Sequence, residues 1–455
     1  MKTNTFVHLH LHTDYSLLDS TIRINALVAK AREYGMSAVA ITDSDNLCGA
    51  LEFYLKCTKA GIKPLIGAEI SVTSVLPNPE KLHDQAVYKV VLLCMDLAGY
   101  RNLCRIVSAA CAKGFQEITQ ITPGILAGYS DGLICLSGGR TGELSVLCRQ
   151  GSAEAKSVTA WYDEHFPDRY YVELFPEPSH TLPTLISIAQ SLNIPLVAAA
   201  DCRCLTLEDV RVYQVLQSIK AGIPAAMILR DQLIDPLFFS PEEMAEMFGG
   251  RPEVLTTTQA IADRCHLELL MVAPDRSTLP DSDPGKDHPG TIFDHLVEKY
   301  GKNSVYRSST FATFSDSDAF RDVGRALEMD ASYVKLIRRM YYNHINERYP
   351  GCESNLPRLR KQNLPWWRRA GSNSSSELNE LVKNDPQVNE VLAMVLGLRG
   401  LIRTRMLGTD AVIITPGDLR DYLPVAGDLT TGMFVSQYPM KHLWTILRKN
   451  RLLKC

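Results

Sequence analysis

Short apolar runs alternate with amphipathic stretches over the first 270 or so residues. Phe6–His10, Ala38–Ile41, Leu65–Ile66, Val87–Leu93, Gly132–Leu136, Tyr170–Leu174 and Leu196–Ala199 read as buried strands, too short for helices and bounded by turn residues. Between them, Asn25–Tyr34 and Leu47–Ala60 carry apolar positions at helical spacing, and the second ends at Gly61, a suitable left-handed cap. Repeated strand–helix alternation predicts an α/β fold, a parallel sheet or barrel with crossover helices. Polar groups at the strand ends should then gather on one face.

The pattern breaks at Ala273–Gly290, where Pro, Asp, Ser and Gly replace apolar periodicity. This divides the chain into residues 1–272, a boundary at 273–290, and residues 291–455. In the last part, helix patterns run through Phe293–Lys299, Asp318–Leu327, Ser332–Tyr342 and Glu377–Leu398. A strand is expected at Ala411–Ile414, and Lys441–Lys454 is basic and amphipathic. Ala370–Ser376 has the composition of a flexible connector.

A chain of 455 residues, 45% hydrophobic and 22% charged, is globular and long enough for more than one core. Its 48 basic and 51 acidic side chains leave a net charge of −3, so any polyanion site must be a local patch. Twelve cysteines lack paired metal-ligand spacing, and Cys202 and Cys204 have no second cluster, so reduced buried thiols are expected. No long apolar run and no leader-like segment occurs, so the expectation is a cytoplasmic protein with no membrane partner.

His8, His10 and His12 alternate on a predicted strand and should share a face. Imidazoles at i and i+2 can share a divalent ion, and Asp14 and Asp19 follow closely. Asp43 ends the Ala38–Ile41 run, Glu69 follows Leu65–Ala68, and Asp201 follows Leu196–Ala200. Carboxylates at strand ends suit barrel chemistry, although helix capping is the plainer role for Asp43.

The motifs F-V-H-L-H-L-H-T-D-Y-S-L-L-D, A-I-T-D-S-D-N-L-C-G-A-L-E-F-Y and G-I-K-P-L-I-G-A-E resemble the polymerase and histidinol phosphatase (PHP) domain of the bacterial DNA polymerase III alpha family. The likeness continues in order to about Leu270. It implies a distorted (β/α)7 barrel followed by a partial, mixed α+β polymerase palm-like region. Matched position by position, His10, His12, Asp19, Asp43, Glu69 and Asp201 fall on family metal ligands, for zinc or manganese, while His8 is a neighbour. Four ligand positions depart: Ser44 and Arg203 replace histidines, Lys89 stands at another histidine position, and Gly139 replaces a cysteine. Lys89 and Arg203 put fixed positive charge where cations should bind, so a complete metal cluster is not expected. His83 is the one nearby substitute.

Asp281 and Asp283, in L-P-D-S-D-P-G, place two carboxylates at i and i+2, which from spacing alone is more often a polar turn. The following F-D-H-L-V-E-K-Y-G and F-R-D-V-G-R-A-L resemble the family's palm, which places Asp281 and Asp283 on its catalytic, Mg²⁺-binding pair and Arg321 and Arg325 on a nucleic-acid-facing motif. The family's Gly/Ser-rich phosphate-binding segment has no match, its lysine before R-D-V-G-R is Ser317, and its H-A-G-G is Gly408–Ala411. The third aspartate is not found before Cys455. Polymerisation should therefore be impaired.

Between Lys335 and Arg369 lie nine basic residues against Glu347 and Glu353, with Tyr and Trp interleaved. Arg358, Arg360, Lys361, Arg368 and Arg369 are candidate phosphate contacts, if they cluster in space. Three readings follow. The first is a replication protein of the DNA polymerase III alpha type, its implied partners primer–template DNA, deoxynucleotides and other replisome subunits. The second is a PHP metallophosphoesterase or 3′–5′ exonuclease. The third is a non-catalytic scaffold for a proofreading exonuclease.

Overall fold

The computed structural model describes residues 6–76, 86–112, 120–176, 181–228, 236–269, 296–301, 304–348, 377–414, 418–428, 433–439, 442 and 453–454. Asp281, Asp283, His83, Arg358, Arg360, Lys361, Arg368 and Arg369 lie outside the described residues, as do the 273–290 boundary and the 370–376 connector.

The first sheet has six strands in sequence order: β1 (Ala38–Ile41), β2 (Lys63–Thr73), β3 (Val87–Cys94), β4 (Leu133–Leu136), β5 (Tyr170–Leu174) and β6 (Leu196–Ala198). β1–β2, β4–β5 and β5–β6 pair in parallel, as the strand–helix alternation predicts. β3 departs from that pattern by running antiparallel to both neighbours. The predicted Phe6–His10 strand is not a regular strand. It is an extended segment that lies between the sheet's two ends. On one side the His8 carbonyl accepts from Ala40 N at 2.9 Å; on the other His12 N donates to the Cys202 carbonyl at 2.9 Å. The sheet therefore closes as a distorted barrel with an irregular seam.

Both faces of these strands are covered, which is why their sequences read as unbroken apolar runs. Ala38, Ala40, Leu65, Leu93, Leu136 and Val197 join one core, together with Ile261 and Ala262 of the Pro252–Arg264 helix. Val39, Ile41, Ile66 and Ala68 join a larger one against the surrounding helices. Fully burying each Val, Leu or Ile side chain among them contributes about 1.5–3 kcal/mol.

A second sheet follows, in the order β11-β8-β7-β10-β9. Its strands are β7 (Val305–Thr313), β8 (Ile402–Ile414), β9 (Val425–Asp428), β10 (Met433–Pro439) and β11 (Leu453–Lys454). The predicted strand at Ala411–Ile414 is the end of the much longer β8. The predicted helix Glu377–Leu398 is two helices, Glu377–Asn384 and Pro386–Leu398, because Pro386 has no N–H and Asp385 caps the second by accepting from Gln387 N. With helices Asp316–Ala326 and Ala331–Arg348 they build a further core, which also takes Val212, Val215 and Leu216 from helix Leu207–Ala221 of the first half. There Gly397 permits close approach, since a Cβ on it would lie 2.4 Å from Val212 Cγ2.

The two halves are not loosely tethered. Tyr306, Ile413, Val425 and Tyr438 of the second sheet, with Leu423 just ahead of β9, share the large core with the barrel's outer helices. Polar contacts fix the register: Tyr100 and Tyr438 hydroxyls at 2.8 Å, Gly427 N to the Cys111 carbonyl at 2.8 Å, and Leu47 N to Gln437 Oε1 at 2.9 Å.

Candidate functional site

The sequence places His10 and His12 on the barrel seam, Asp43 just past β1, Glu69 within β2, and Asp201 and Arg203 after β6. The fold brings these elements to one end of the barrel. His10 and His12 lie with ring centroids 5.4 Å apart. Among the described residues, His10, His12 and Asp201 form a group whose potential ligand atoms all lie within 4.8 Å of one another. Glu69 Oε1 is 3.5 Å from His10 Nε2 and 3.9 Å from His12 Nε2. The pocket meets solvent at Asp201, whose side chain is 38% exposed, while the two imidazoles are buried.

The other predicted ligands are engaged elsewhere. Asp43 accepts from Thr13 N at 2.6 Å, Thr13 Oγ1 at 2.8 Å and Ser16 Oγ at 2.6 Å, and burial raises its carboxyl to about 6. Asp19 faces Arg203 at 2.8 Å and Lys220 at 3.0 Å. Those two charges outweigh burial and hold its carboxyl down at about 2. His8 does not share the face of the other two histidines, because the seam lacks a regular pleat. It stacks on Phe238 at 4.4 Å, and its Nε2 donates to the Phe239 carbonyl at 2.8 Å.

Arg203 stands in the middle of the constellation. Its guanidinium contacts Asp201 at 3.0 and 3.1 Å, donates to His12 Nε2 at 3.1 Å, and reaches within 4.0 Å of Glu69. His12 is thereby kept neutral: burial, then the Arg203 charge, lowers it to about 3. Its Nδ1–H can donate to Ser16 Oγ at 3.1 Å or Ser44 Oγ at 3.3 Å. Lys89 plays the same part on the other wall, 3.0 Å from Asp45 and 3.5 Å from Glu69, with Ser71 Oγ at 2.7 Å. Ser44, at a position where the resemblance expects histidine, donates to Glu69 Oε2 at 3.1 Å.

Sequence reasoning missed Glu173. Buried on β5, it takes His10 Nδ1 at 3.0 Å and the Gly139 N–H at 2.7 Å. Burial works against charging His10, but Glu173 and Asp201 outweigh it and raise the imidazole to about 10. A protonated imidazole cannot coordinate a cation. The available signal was the charged residue within the apolar run Y-Y-V-E-L. At Gly139, where the resemblance expects cysteine, a Cβ would lie 2.7 Å from the Phe175 ring, so that donor's space is filled.

The donor set thus fits one ion at His10, His12 and Asp201, provided that Arg203 moves aside and His10 loses its proton. It does not fit a multi-ion cluster, since Arg203, Lys89, Lys220 and the His10 imidazolium already balance the surrounding carboxylates.

Of the predicted nucleic-acid contacts, the structure places Arg321 and Arg325 on the exposed side of helix Asp316–Ala326. Arg321 is tied to Asp318 and, at 3.4 Å, to Asp322. Ser317 accepts from Arg338 at 2.9 Å. No described helix is long and apolar enough to cross a membrane.

Residues 8–176 match the PHP domain family, and residues 266–454 match the family described as the bacterial DNA polymerase III alpha NTPase domain. The DNA polymerase III subunit alpha of Escherichia coli is 36% identical over 279 residues, covering 60% of this chain and 24% of that protein. The subunit alpha of Chlamydia pneumoniae is 23% identical over 615 aligned positions, covering 96% of this chain and 48% of its own length. That alignment is longer than the chain's 455 residues, so the relative carries stretches with no counterpart here. The chain spans between about a quarter and about half of these relatives. Among solved structures, a two-domain protein from Bacteroides vulgatus, described as containing a predicted PHP-like metal-dependent phosphoesterase, aligns with a TM-score of 0.30 at 12% identity, covering 44% of this chain and 52% of that one. The two domain matches, in this order along one chain, give it the layout of these DNA polymerase III alpha relatives over the matched part, a PHP domain ahead of a DNA polymerase III alpha-type segment.

Proposed function

We propose that the chain serves DNA replication as a DNA polymerase III alpha-type protein whose PHP half has exchanged metal chemistry for internal cations and acts as the base of the second half. The observation that carries this reading is the Arg203 guanidinium, which sits among Asp19, Asp201, Glu69 and His12. A hydrolytic centre needs metal with an open position for water or substrate. Here the same carboxylates spend their charge on Arg203 and Lys89. A zinc or manganese ion held by His10, His12 and Asp201 would polarise a phosphoryl oxygen or a water, and weak, substoichiometric binding is the most this donor set supports. The phosphoesterase alternative is correspondingly disfavoured.

In this reading residues 1–272 are the PHP domain, 273–290 carry the aspartate pair, and 291–455 are the partial palm. Asp281 and Asp283 would hold Mg²⁺, with primer–template DNA and deoxynucleotides as substrates. In-line phosphoryl transfer also needs the triphosphate oriented and its developing charge neutralised. The phosphate-binding segment and the lysine at position 317 have no match in the sequence. The expected result is therefore no detectable primer extension by the isolated chain with Mg²⁺ and four deoxynucleotides, no phosphoesterase turnover, and less than one tightly held ion per chain after dialysis. Template-directed extension abolished by Asp283→Asn would overturn the impaired-polymerase reading, and two or more tightly held ions would overturn the internal-cation reading.

A further inference from the structure

We infer that the groove between helices Asp316–Ala326 and Ala331–Arg348 is a binding site for single-stranded nucleic acid. Two cavities, about 720 and 250 Å³, both take part of their lining from Ser317, Lys335 and Arg338, and so form one trough across the two helices. The larger adds Arg339 and Tyr342; the smaller adds Arg321, Arg325 and Met329. Among the described residues, no carboxylate lines either one.

Lys335, Arg338 and Arg339 fall at i, i+3 and i+4, so their cationic ends crowd one helical face, an arrangement that destabilises a helix unless an anion relieves it. The nearby acids do not supply that relief. Asp318 and Asp322 are taken by Arg321 and Arg403, with Arg403 at 3.1 and 3.0 Å. Asp330 accepts from Ser332 N at 2.9 Å and Tyr333 N at 3.0 Å as a helix cap. Among the described residues, Arg325, Lys335, Arg338 and Arg339 have no carboxylate within ion-pair distance, and Arg338 is held by Ser317 alone. The trough is thus a built row of unneutralised cations, whereas Arg321, the residue the family motif singled out beside Arg325, is already balanced.

Three features choose the occupant. The trough takes its lining from both helices, so it suits an extended ligand. Its walls are basic, which selects a phosphodiester backbone. Tyr342 and Met329 lie among the cations and offer a surface on which an unpaired base can stack, which a duplex does not present. The inference rests on the nucleic-acid reading above for the class of ligand and adds the strand type and the residues.

The test is fluorescence anisotropy of the full chain with a labelled oligothymidylate over a salt series. Lys335 and Arg339 are exposed, so the Lys335→Glu/Arg339→Glu variant should keep its thermal midpoint. Its affinity should fall at least about tenfold, and its log–log salt slope should shrink by about 1.4, from about 0.7 per lost contact on a single strand. Tyr342→Ala should weaken binding about tenfold with the slope unchanged. Wild-type binding that the double variant leaves intact would overturn the site alone. Equal binding of blunt duplex with no effect of Tyr342→Ala would overturn the strand assignment, as would full competition by inorganic tripolyphosphate at matched phosphate. A wild-type chain that binds no nucleic acid would remove this inference together with the nucleic-acid reading.

Discussion

Replacing Arg203 by alanine removes the cation that ties four side chains together, from the seam stretch 12–19, from β2 and from its own stretch 201–203. The lost contacts are Asp19 at 2.8 Å, Asp201 at 3.0 and 3.1 Å, His12 at 3.1 Å and Glu69 at 4.0 Å. Removing one partner of a buried ionic group costs about 3–5 kcal/mol, because the remaining charges stay desolvated. Asp201 is 38% exposed and can rehydrate, and Lys220 still serves Asp19, which argues for the lower end, about 3 kcal/mol. Arg203→His has a different expected outcome, since it adds an imidazole beside His10, His12 and Asp201 and releases the carboxylates. Zinc or manganese should then stabilise this variant by about 2.7 kcal/mol at a free concentration of a hundred times the dissociation constant. Urea unfolding followed by near-ultraviolet circular dichroism, with and without chelator, reads both effects. If Arg203→Ala unfolds at the wild-type midpoint, Arg203 does not act as the internal cation. If metal stabilises wild type and Arg203→His equally, the pocket was never closed to ions.

His10 offers a pH signature: held at about 10 in the folded state against about 6.5 unfolded, it adds stability below pH 6.5 that is lost as pH rises towards 10. His10→Asn should flatten the alkaline limb of a stability–pH curve, and an unchanged limb would refute the imidazolium. Tyr438→Ala, which empties a buried ring site between the halves, should cost about 3–5 kcal/mol and lower a midpoint followed by probes in either half. A shift confined to residues beyond 300 would show that the halves unfold separately. Gly397→Ala should overpack against Val212 and cost about 1–3 kcal/mol, with Val212→Ala restoring part of it in a double-mutant cycle.

Much of the first half was legible because both faces of its strands are buried, which writes β1 and β4 as bare apolar runs and β5 as one broken only by Glu173. The seam was misread as a regular strand. Its hydrogen bonds go to two partners far apart in sequence, and no periodicity records that. The same irregularity sent His8 away from His10 and His12. Of the candidate site, the donors were visible as motif residues, and Lys89 and Arg203 were visible as charges out of place. Their pairing with Asp45, Asp19 and Asp201 depends on side-chain reach across the barrel. The second half was less legible because β7 reads V-Y-R-S-S-T-F-A-T, with small polar residues such as Ser308 and Ser309 buried at the approach to β8 and β10. Only the end of β8 was apolar enough to see.

The seam also sets a timetable for synthesis. Residues 6–12 can dock on β1 once Ile41 is free of the ribosome, but their other edge waits for the Ala200–Cys202 segment. At about 5–20 residues per second that partner is made about 10–40 s after the seam itself. Through that interval the nascent barrel is an open sheet with an exposed edge, the state most prone to pairing with another chain. Slowing elongation before codon 202 should therefore raise aggregation of the newborn protein, whereas slowing it after that point should not.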